Sequence, residues 1–344
     1  MSGMKRPFVL LCAAFLFVVS GCSGTIPLGE RGRAVHVLRF RDNGVFTIVQ
    51  FTDTHLGSRD AGLRDDSTYA MLDSIIRWEN PDLIVLTGDI VRFAWEPQAV
   101  PSWRRLIAFF DSTGVPWAFV HGNHDAEVRG YAAVDSLIAT ARHCLYTPGP
   151  DSLNQPGNYV LPVLARKGRR VGALLWCMNS GAGSSEPSGY GWMRATQVKW
   201  FRATSERLKT QTQPHLTQLA FFHIPFAEYQ TVWDARTCTG YKNEKVCMQG
   251  KDEGAFAAFV EYRISGCFVG HDHTNDYEGT LEDVTLCYGR ASGYRGYGKE
   301  GFLRGARVIK IKDGVRGFTS HIRLADGSLA ERPVHTPGTP PPTP

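Results

Sequence analysis

The stretch VFTIVQFTDTH at residues 45–55 decides how this chain folds. Its first seven residues form a short, mostly apolar run, which predicts a buried strand. The last four, TDTH, place Asp53 and His55 directly after that strand. An amphipathic pattern over residues 66–79 predicts a helix, and Asn80-Pro81 ends it. The stretch is therefore the start of a β-α unit whose strand ends in polar side chains.

Two more units of the same kind follow. The strands LIVLT (83–87) and WAFVH (117–121) each precede a helical window, WRRLIAFFDS and YAAVDSLIATAR. Three β-α units in succession predict an α/β fold with buried parallel strands. Further apolar strands are predicted at 172–178, 217–223 and 266–270. The last strands alternate with polar turns, which is typical of antiparallel pairing, so we expect a mixed sheet system.

Nearly every predicted strand end carries a side chain that can bind a metal. In open α/β sheets, ligands bind beyond the carboxyl ends of the strands. The residues found there are Asp53, His55, Asp89, Asn123, His223, His271 and His273. Each alone has an ordinary structural explanation, such as a helix cap, a turn residue or a satisfied core histidine. Five strand ends would have to carry such residues by accident, and we therefore interpret them as one site.

The donor types of this set indicate the metal. Carboxylate and amide oxygens together with four imidazoles favour Mn, Fe or Zn over Ca. Seven donors are too many for one ion and suit two divalent or trivalent ions, with an aspartate between them to offset their repulsion. Metal binding also lowers the pKa of water, so that hydroxide forms near neutral pH.

At these residues the chain resembles the calcineurin-like metallophosphoesterase superfamily. The motifs of that family stand here as Asp53-Thr54-His55, Gly88-Asp89, Gly122-Asn123-His124-Asp125, His223 and Gly270-His271-Asp272-His273. The resemblance implies a four-layer α/β/β/α sandwich with two mixed sheets. It also implies the ligands of each ion: Asp53, His55 and His273 for one, Asn123, His223 and His271 for the other, and Asp89 as the bridge.

The resemblance further implies a hydrolase acting on phosphoric ester bonds. A hydroxide bridging the two ions would attack phosphorus, while His124 would bind the phosphate and assist the leaving group. Asp125 would orient His124, as a carboxylate behind an imidazole does. The substrate would be a phosphorylated small molecule or protein. Monoester and diester hydrolysis both stay open, as does a non-catalytic binding lipoprotein on the same fold.

A closer resemblance is to the fungal and plant purple-acid-phosphatase-like proteins that lack the iron-binding tyrosine. The segments ENPDLIVLTGDIV, HIPFAEY and VGHDHTNDY carry it, and it covers most of residues 45–312. In place of that tyrosine stands Arg92, which either contacts the substrate phosphate or lies on the surface. Four aromatic residues in the loops that would rim the cleft either bind substrate or pack loop on loop. They are Tyr190, Trp192, Tyr294 and Tyr297.

The N-terminus is typical of an export signal. The apolar run FVLLCAAFLFVVS follows a short basic region and is too short for a comfortable membrane span. The next residues, VSGC, resemble the lipobox of bacterial lipoproteins, which implies cleavage before Cys22 and its lipidation. The alternative is an ordinary signal peptide in which Cys22 is incidental. The expected location is a bacterial cell envelope, at the outer membrane, with the lipid anchor as the only membrane contact. The expected divisions are a signal peptide (1–21), a tether (22–44), the phosphoesterase domain (45–325) and a disordered Pro-rich tail (326–344).

Charge and cysteine content set further limits. A net charge of +5 without a basic stripe gives no support for nucleic-acid binding. In an oxidising compartment Cys238 and Cys247, which flank a polar stretch, could close a short disulfide loop. The remaining cysteines of the domain lie in or beside apolar strand-like segments and are expected to be buried thiols. They are Cys144, Cys177, Cys267 and Cys287.

Overall fold

A computed structural model describes most of the chain. The described residues are 36–57, 63–91, 99–125, 127, 130–153, 155–184, 189–209 and 212–338, without the side chains of 213–215. The helices are α1 (Leu63–Glu79), α2 (Ala99–Ser112), α3 (Gly130–Ile138), α4 (Ala195–Leu208), α5 (Glu228–Ala235) and α6 (Ala255–Glu261). The strands are β1 (Val45–Phe51), β2 (Leu83–Thr87), β3 (Trp117–Val120), β4 (Tyr159–Leu164), β5 (Val171–Cys177), β6 (Thr212–Phe221), β7 (Cys238–Thr239), β8 (Gly266–Val269), β9 (Glu278–Leu281), β10 (Val284–Tyr288), β11 (Gly305–Lys312), β12 (Val315–Leu324) and β13 (Val334–His335).

The strands form two mixed sheets. The first has the order β12-β11-β1-β2-β3, in which β1, β2 and β3 run parallel while β11 and β12 pair antiparallel at one edge. The second has the order β13-β7-β9-β10-β8-β6-β5-β4. Its four central strands, β10, β8, β6 and β5, run parallel, and antiparallel strands flank them on both sides. The predicted α/β fold with two mixed sheets is thereby confirmed.

Alternate residues of the central strands face two different cores, because successive side chains of a strand point to opposite faces. Leu219 and Phe221 of β6 belong to the core that the second sheet shares with the first. Ala220 of the same strand belongs to a second core, together with Phe201 of α4 and Val232 of α5. In the first sheet, α1 packs on β1 and β11, and Trp103 of α2 packs on Phe119 of β3 with ring centroids 5.3 Å apart. Helices therefore cover both sheets, and the layers run helix, sheet, sheet, helix.

The segment just before β1 corrects the expected tether. Leu38 is 6% exposed and Phe40 is 2% exposed, and both belong to the core between the layers. The backbone amide of Phe40 donates to the carbonyl of Leu164, so this segment adds to the edge of the second sheet. Residues 36–44 are therefore part of the domain, because burying two large apolar side chains outweighs the freedom of a linker. The signal peptide and Cys22 lie outside the described residues.

The expected disordered tail is also wrong as far as residue 338. Val334 and His335 form β13, which pairs with β7 at the end of the second sheet. The ring of His335 stacks on Trp233 at 3.9 Å, and its Nε2 lies 3.0 Å from the carbonyl of Trp233. Because the segment is rich in proline, this two-residue strand could not be predicted from the sequence. Over the described part of the chain, no helix combines the length and apolar character that crossing a bilayer requires.

Candidate metal centre

The carboxyl ends of five strands, parallel to their neighbours within each sheet, meet at one edge of the two sheets. They are the ends of β1, β2 and β3 in the first sheet and of β6 and β8 in the second. The structure brings all seven predicted donors together there, each no more than 8% exposed. They are Asp53, His55, Asp89, Asn123, His223, His271 and His273.

Three of these donors form what we call the first half-site: Asp53, His55 and His273. One ligand atom of each lies within 4.8 Å of the other two. The Nε2 atoms of His55 and His273 are 3.1 Å apart. The Nε2 of His273 is also 3.4 Å from Oδ1 of Asp53. A carboxylate oxygen and two imidazole nitrogens are thus brought together in one place.

The second half-site consists of Asn123, His223 and His271. The Nε2 of His223 lies 3.1 Å from Oδ1 of Asn123 and 3.2 Å from Nδ1 of His271. Asp89 lies between the two half-sites: its Oδ2 is 3.2 Å from Nε2 of His223 and 3.8 Å from Nε2 of His55. A single carboxylate oxygen therefore reaches donors on both sides, as a bridging ligand must.

Several donors sit in a strained backbone conformation. The φ angles of Asp53, His55, Asp89 and His271 are +54°, +44°, +52° and +77°, in the left-handed region that residues other than glycine rarely adopt. Such residues cost about 1–3 kcal/mol each and persist where the surrounding structure enforces them, most often at functional sites. The sharp turn at each strand end is what directs these side chains into the shared cleft.

Two glycines next to the donors allow the chain to approach closely. Gly88 has φ +88°, and a Cβ there would lie 2.5 Å from the backbone nitrogen of Gly122. A Cβ on Gly270 would lie 1.9 Å from Oγ1 of Thr52 and 2.6 Å from Oδ2 of Asp53. Any larger residue at either position would push the strand ends, and the donors they carry, apart.

Hydrogen bonds to backbone carbonyls fix the orientation of two imidazoles. Nδ1 of His223 lies 2.7 Å from the carbonyl of Thr87, and Nδ1 of His273 lies 2.9 Å from the carbonyl of Tyr297. Since a carbonyl only accepts, both Nδ1 atoms carry the proton and both Nε2 atoms present a lone pair to the cleft when the ring is neutral. This arrangement behind a ligating histidine is typical of metal sites.

The carboxylates make the centre favourable for positive charge. Burial alone would raise the pKa of Asp53 and of Asp89, but the nearby histidines outweigh it. The pKa of Asp53 falls to about 2, and that of Asp89 lies well below its usual range. Burial would likewise lower the pKa of His223, yet Asp89 and Asp53 raise it to about 10. A proton on His223 and a cation in the cleft therefore compete for the same negative charge.

Of the three remaining imidazoles, those of His55 and His271 favour the neutral form. Burial, the largest influence on both, lowers the pKa of His55 to about 4 and that of His271 to about 3. Neutral imidazoles are the form that binds metals. Facing lone pairs at about 3 Å and two low-pKa carboxylates are what two transition-metal ions require, so the residues present fit such a centre.

His124 lies beside the centre. Its Nε2 is 3.9 Å from Oδ2 of Asp89, and its side chain is 42% exposed. Its Nδ1 pairs with Oε1 of Glu127 at 2.9 Å. Burial would lower the pKa of His124, but the charges of Asp89 and Glu127 leave it raised. The ring is thus accessible, oriented from behind by a carboxylate, and close to both half-sites.

Asp125 does not have the expected role. Its buried carboxylate accepts hydrogen bonds from the backbone amides of Gly122, Asp89 and Ile90, at 2.8, 2.9 and 3.0 Å. It therefore ties the end of β3 to the turn after β2 and holds Asp89 in place. Glu127 occupies the position behind His124 that the sequence motif suggested for Asp125. The i, i+3 spacing of these two residues is the signal that could have revealed the pair.

The residues predicted to contact substrate have different surroundings in the structure. The ring of Tyr190 meets His271 edge to face, with ring centroids 4.5 Å apart, so it lies at the centre. Tyr294 is 36% exposed and its backbone amide donates to Thr68. Trp192 is buried and donates through Nε1 to Glu253, which is a packing role. Arg92 lies outside the described residues.

Tyr297 supports a metal ligand. Its ring stacks on that of His273 with centroids 4.0 Å apart, and its carbonyl accepts from the same histidine. Its hydroxyl donates to Oε2 of Glu244 at 2.7 Å, while Oε1 of Glu244 accepts from both the amide and the hydroxyl of Thr274. The sequence did not single out Glu244, which has no motif and lies far from the donors along the chain.

The predicted disulfide between Cys238 and Cys247 is not formed, since both are free thiols. Cys238 is buried against α5, with its Sγ 3.5 Å from the carbonyl of Val232. Cys247 lies instead beside Asp272, at the centre. The two thiols therefore have different neighbours, α5 for Cys238 and the metal centre for Cys247. The four cysteines expected as buried thiols are buried, and none of them forms a disulfide.

The fold and the paired donor sets define a metal-binding α/β protein of the phosphoesterase type. The family model for calcineurin-like phosphoesterases matches residues 46–275, and the chain belongs to that family. That family has a dinuclear metal site, and the donors gathered here are the candidate ligands for it in this chain.

Named relatives and solved structures agree with this assignment. The chain is 31% identical to "Probable inactive purple acid phosphatase 29" of Arabidopsis thaliana, over 88% of this chain and 85% of the relative. It is 30% identical to "Phosphatase DCR2" of Saccharomyces cerevisiae, over 73% of this chain and 49% of the relative. A dimetal phosphatase from Danio rerio shares the fold, with a TM-score of 0.52 at 13% identity, over 80% of this chain and 98% of that one. The expected likeness to the plant and fungal purple-acid-phosphatase group is confirmed.

The same relatives contradict the expected location. The sequence interpretation places the chain in a bacterial envelope as a lipoprotein, but the relatives that match over most of its length are plant and yeast proteins. The prediction depended on four residues, VSGC, after an apolar run. So short a pattern has little specificity when no second feature supports it.

Proposed function

We propose that this protein hydrolyses phosphate esters at the centre formed by the two half-sites. The observation that carries the proposal is the position of Asp89, whose Oδ2 lies 3.2 Å from His223 and 3.8 Å from His55. One negative charge shared by two donor sets is the arrangement that holds two cations close together. When bound, two such ions would supply a nucleophile from water and neutralise charge on the phosphate.

The chain's own residues would do the remaining work. Asp53, His55 and His273 would hold one ion, and Asn123, His223 and His271 the other. His124 would hold a proton on Nε2 and deliver it to the departing oxygen of the ester, since Glu127 keeps Nδ1 engaged at 2.9 Å. The exposure of this ring suits a group that must meet a substrate arriving from solvent.

A non-catalytic role has one observation in its favour: the name of the plant relative describes that protein as probably inactive. Loss of a donor would support such a role, yet this chain has all seven donors and the accessible His124. The complete donor set favours turnover.

The test is hydrolysis by the reconstituted protein. Protein stripped with a chelator should hydrolyse neither nitrophenyl phosphate nor bis-nitrophenyl phosphate, and added Mn²⁺, Fe²⁺ or Zn²⁺ should restore cleavage of at least one. The preferred ester then distinguishes monoesterase from diesterase activity. Asp73→Asn, on the exposed face of α1 beside Arg77, is the matched control and should behave like the parent. A protein that binds two ions and cleaves neither ester would support the non-catalytic role.

A further inference from the structure

A second group of metal-binding side chains lies next to the second half-site. Cys247, His271 and Asp272 each offer a ligand atom, and these atoms lie within 4.8 Å of one another. His271 and Asp272 are buried, and Cys247 is partly exposed. A thiol, an imidazole and a carboxylate form a donor set that differs from the nitrogen and oxygen donors of the two half-sites.

His271 has one ring nitrogen to spare. Its Nδ1 faces Nε2 of His223 at 3.2 Å and belongs to the second half-site. Its Nε2 is buried and, within the described part of the chain, has no hydrogen-bond partner. A buried ring nitrogen without a partner is costly, because it has lost water and gained nothing in return. The spare nitrogen therefore indicates a ligand that the described residues do not supply.

The backbone holds Cys247 firmly in this position. Its amide lies 3.3 and 3.2 Å from the two carboxylate oxygens of Asp272. The preceding Val246 is 1% exposed, and the side chain of Gln249 bonds the backbone of Ile224 at 2.9 Å. A thiol fixed on both sides needs little reorganisation to bind an ion.

Tyr190 and Tyr288 complete the surroundings. The hydroxyl of Tyr288 donates to Oδ2 of Asp272 at 2.6 Å, which fixes the carboxylate and leaves lone pairs free. The ring of Tyr190 lies edge-on to His271, and its side chain also hydrogen-bonds Cys247. Metal ligands are typically oriented by neighbours in this way.

We propose that Cys247, His271 and Asp272 bind a third, thiophilic divalent cation such as Zn²⁺ or Cd²⁺, with His271 shared between this site and the second half-site. Sulfur, nitrogen and oxygen donors with one position left for water suit Zn²⁺ and its soft analogues. When the metal–sulfur and metal–nitrogen bonds form, the Cys247 thiol and Nε2 of His271 each release a proton to solvent, so that His271 bridges the two sites as an imidazolate. Because His271 serves both sites, an ion beside Cys247 draws on the ring that the second half-site needs, so excess Zn²⁺ should inhibit.

Cadmium titration tests the site without any activity measurement. Full-length protein preloaded with Mn²⁺ is titrated with Cd²⁺ and followed by the ultraviolet thiolate-to-cadmium charge-transfer band and by metal analysis. We expect one thiolate band that saturates at one Cd²⁺ per chain, since the half-sites contain no sulfur. Cys247→Ser should abolish the band, and Cys238→Ser, the matched control at a buried thiol, should keep it.

Two results would overturn the third site. One is a titration without a thiolate band, and the other is a band that survives in Cys247→Ser. Asp272→Asn adds an independent check, because it should weaken cadmium binding at least tenfold; unchanged affinity would remove Asp272 from the site. Thermal unfolding of each variant shows whether the fold is intact.

The inhibitory consequence rests on the proposed hydrolysis and is measured separately. Micromolar Zn²⁺ added to the Mn²⁺-loaded protein should inhibit the parent and Cys238→Ser, while Cys247→Ser keeps its activity. A thiolate band in a protein without hydrolytic activity would keep the third site and overturn the proposed function. A thiolate band together with equal inhibition of the parent and Cys247→Ser would show that Zn²⁺ inhibits at another place. The third site would then bind metal without regulating hydrolysis.

Discussion

The two half-sites are assembled in different ways. The second half-site is held by the strand ends themselves: the carbonyl of Thr87, the last residue of β2, fixes His223 at 2.7 Å. The first half-site depends on a covering loop, residues 293–298, which comes from far along the chain. A Cβ on Gly296 of this loop would lie 2.5 Å from Cε1 of His273, and the ring of Tyr297 stacks on that histidine.

This difference indicates which changes should affect only one of the two ions and which should affect both. Disturbing the covering loop should affect one ion, because its anchors, Glu244 and Arg304, bond Tyr297 and Gly296 of the loop and, among the described residues, form no hydrogen bond with the second half-site. Disturbing Asp89 should affect both ions. Substitutions can therefore separate the two half-sites, and the largest effect is expected from a change that weakens both.

Asp89→Asn should cause the largest loss. It removes the charge that faces both half-sites while keeping the size of the side chain, so both ions should bind less tightly. Metal-derived stabilisation of several kcal/mol corresponds to at least about a thousandfold in rate. Metal analysis after gel filtration, with steady-state hydrolysis, measures both effects. Loss of only one ion would show that Asp89 belongs to one half-site and does not bridge.

His124→Ala should lower hydrolysis by about 10²–10⁴-fold, the usual contribution of a general acid, and leave both ions in place. The ring belongs to neither half-site, so this variant separates proton transfer from metal binding. Glu127→Gln should have a smaller effect of the same kind, since it weakens only the orientation of His124. An activated ester whose leaving group needs no proton should be cleaved almost normally by His124→Ala. Equal loss on both kinds of ester would count against the proton-donor role.

Tyr297→Ala should lower the affinity of only the first half-site for its ion, by about 10–100-fold, as loss of a residue that supports a metal ligand typically does. It removes the ring that stacks on His273 and the hydroxyl that anchors the covering loop to Glu244. Calorimetric titration with Mn²⁺ should resolve one weakened and one unchanged site. Tyr294→Ala, in the same loop but anchored through its backbone amide, is the control. An equal loss of affinity at both half-sites would show that the second half-site depends on the covering loop as much as the first does.

Glu79→Gln should have the smallest effect and leave both half-sites untouched. Glu79 joins the end of α1 to β12 through Arg323 at 2.6 Å and His321 at 3.3 Å. Burial would raise the pKa of Glu79, but these two partners lower it from 4.5 to about 2. The ionised Glu79, bound to these two partners, therefore stabilises the fold above about pH 4.5, and this contribution is lost as the pH falls towards 2.

The variant should unfold about 1–2 kcal/mol more easily than the parent at neutral pH, with the difference vanishing near pH 2. Urea unfolding at several pH values measures this. A difference that does not change with pH would mean that packing, and not charge, holds Glu79.

Much of the centre could be predicted from residues close to each other in the sequence. An apolar run followed at once by a donor, as at Phe51 to Asp53 or Val269 to His271, indicates a strand end that carries chemistry. The central strands and the first three helices were also predictable from periodicity. The pairing of β4 with β5 and helix α5 were not, because their patterns of burial are short or irregular.

The sequence by itself determined the seven donors, the α/β class and the order of the strands along the chain, because these depend on local hydrophobic patterns and on residue type. Only the tertiary structure decided which side chains support the donors. Asp125 turned out to hold backbone amides, Glu127 lies behind His124, and Tyr297 stacks on His273. The spare nitrogen of His271 beside Cys247 is of the same kind. The pair of Glu127 and His124 is local, at i, i+3 spacing. The other contacts join residues distant in sequence, and local patterns carry no information about which distant loops will meet.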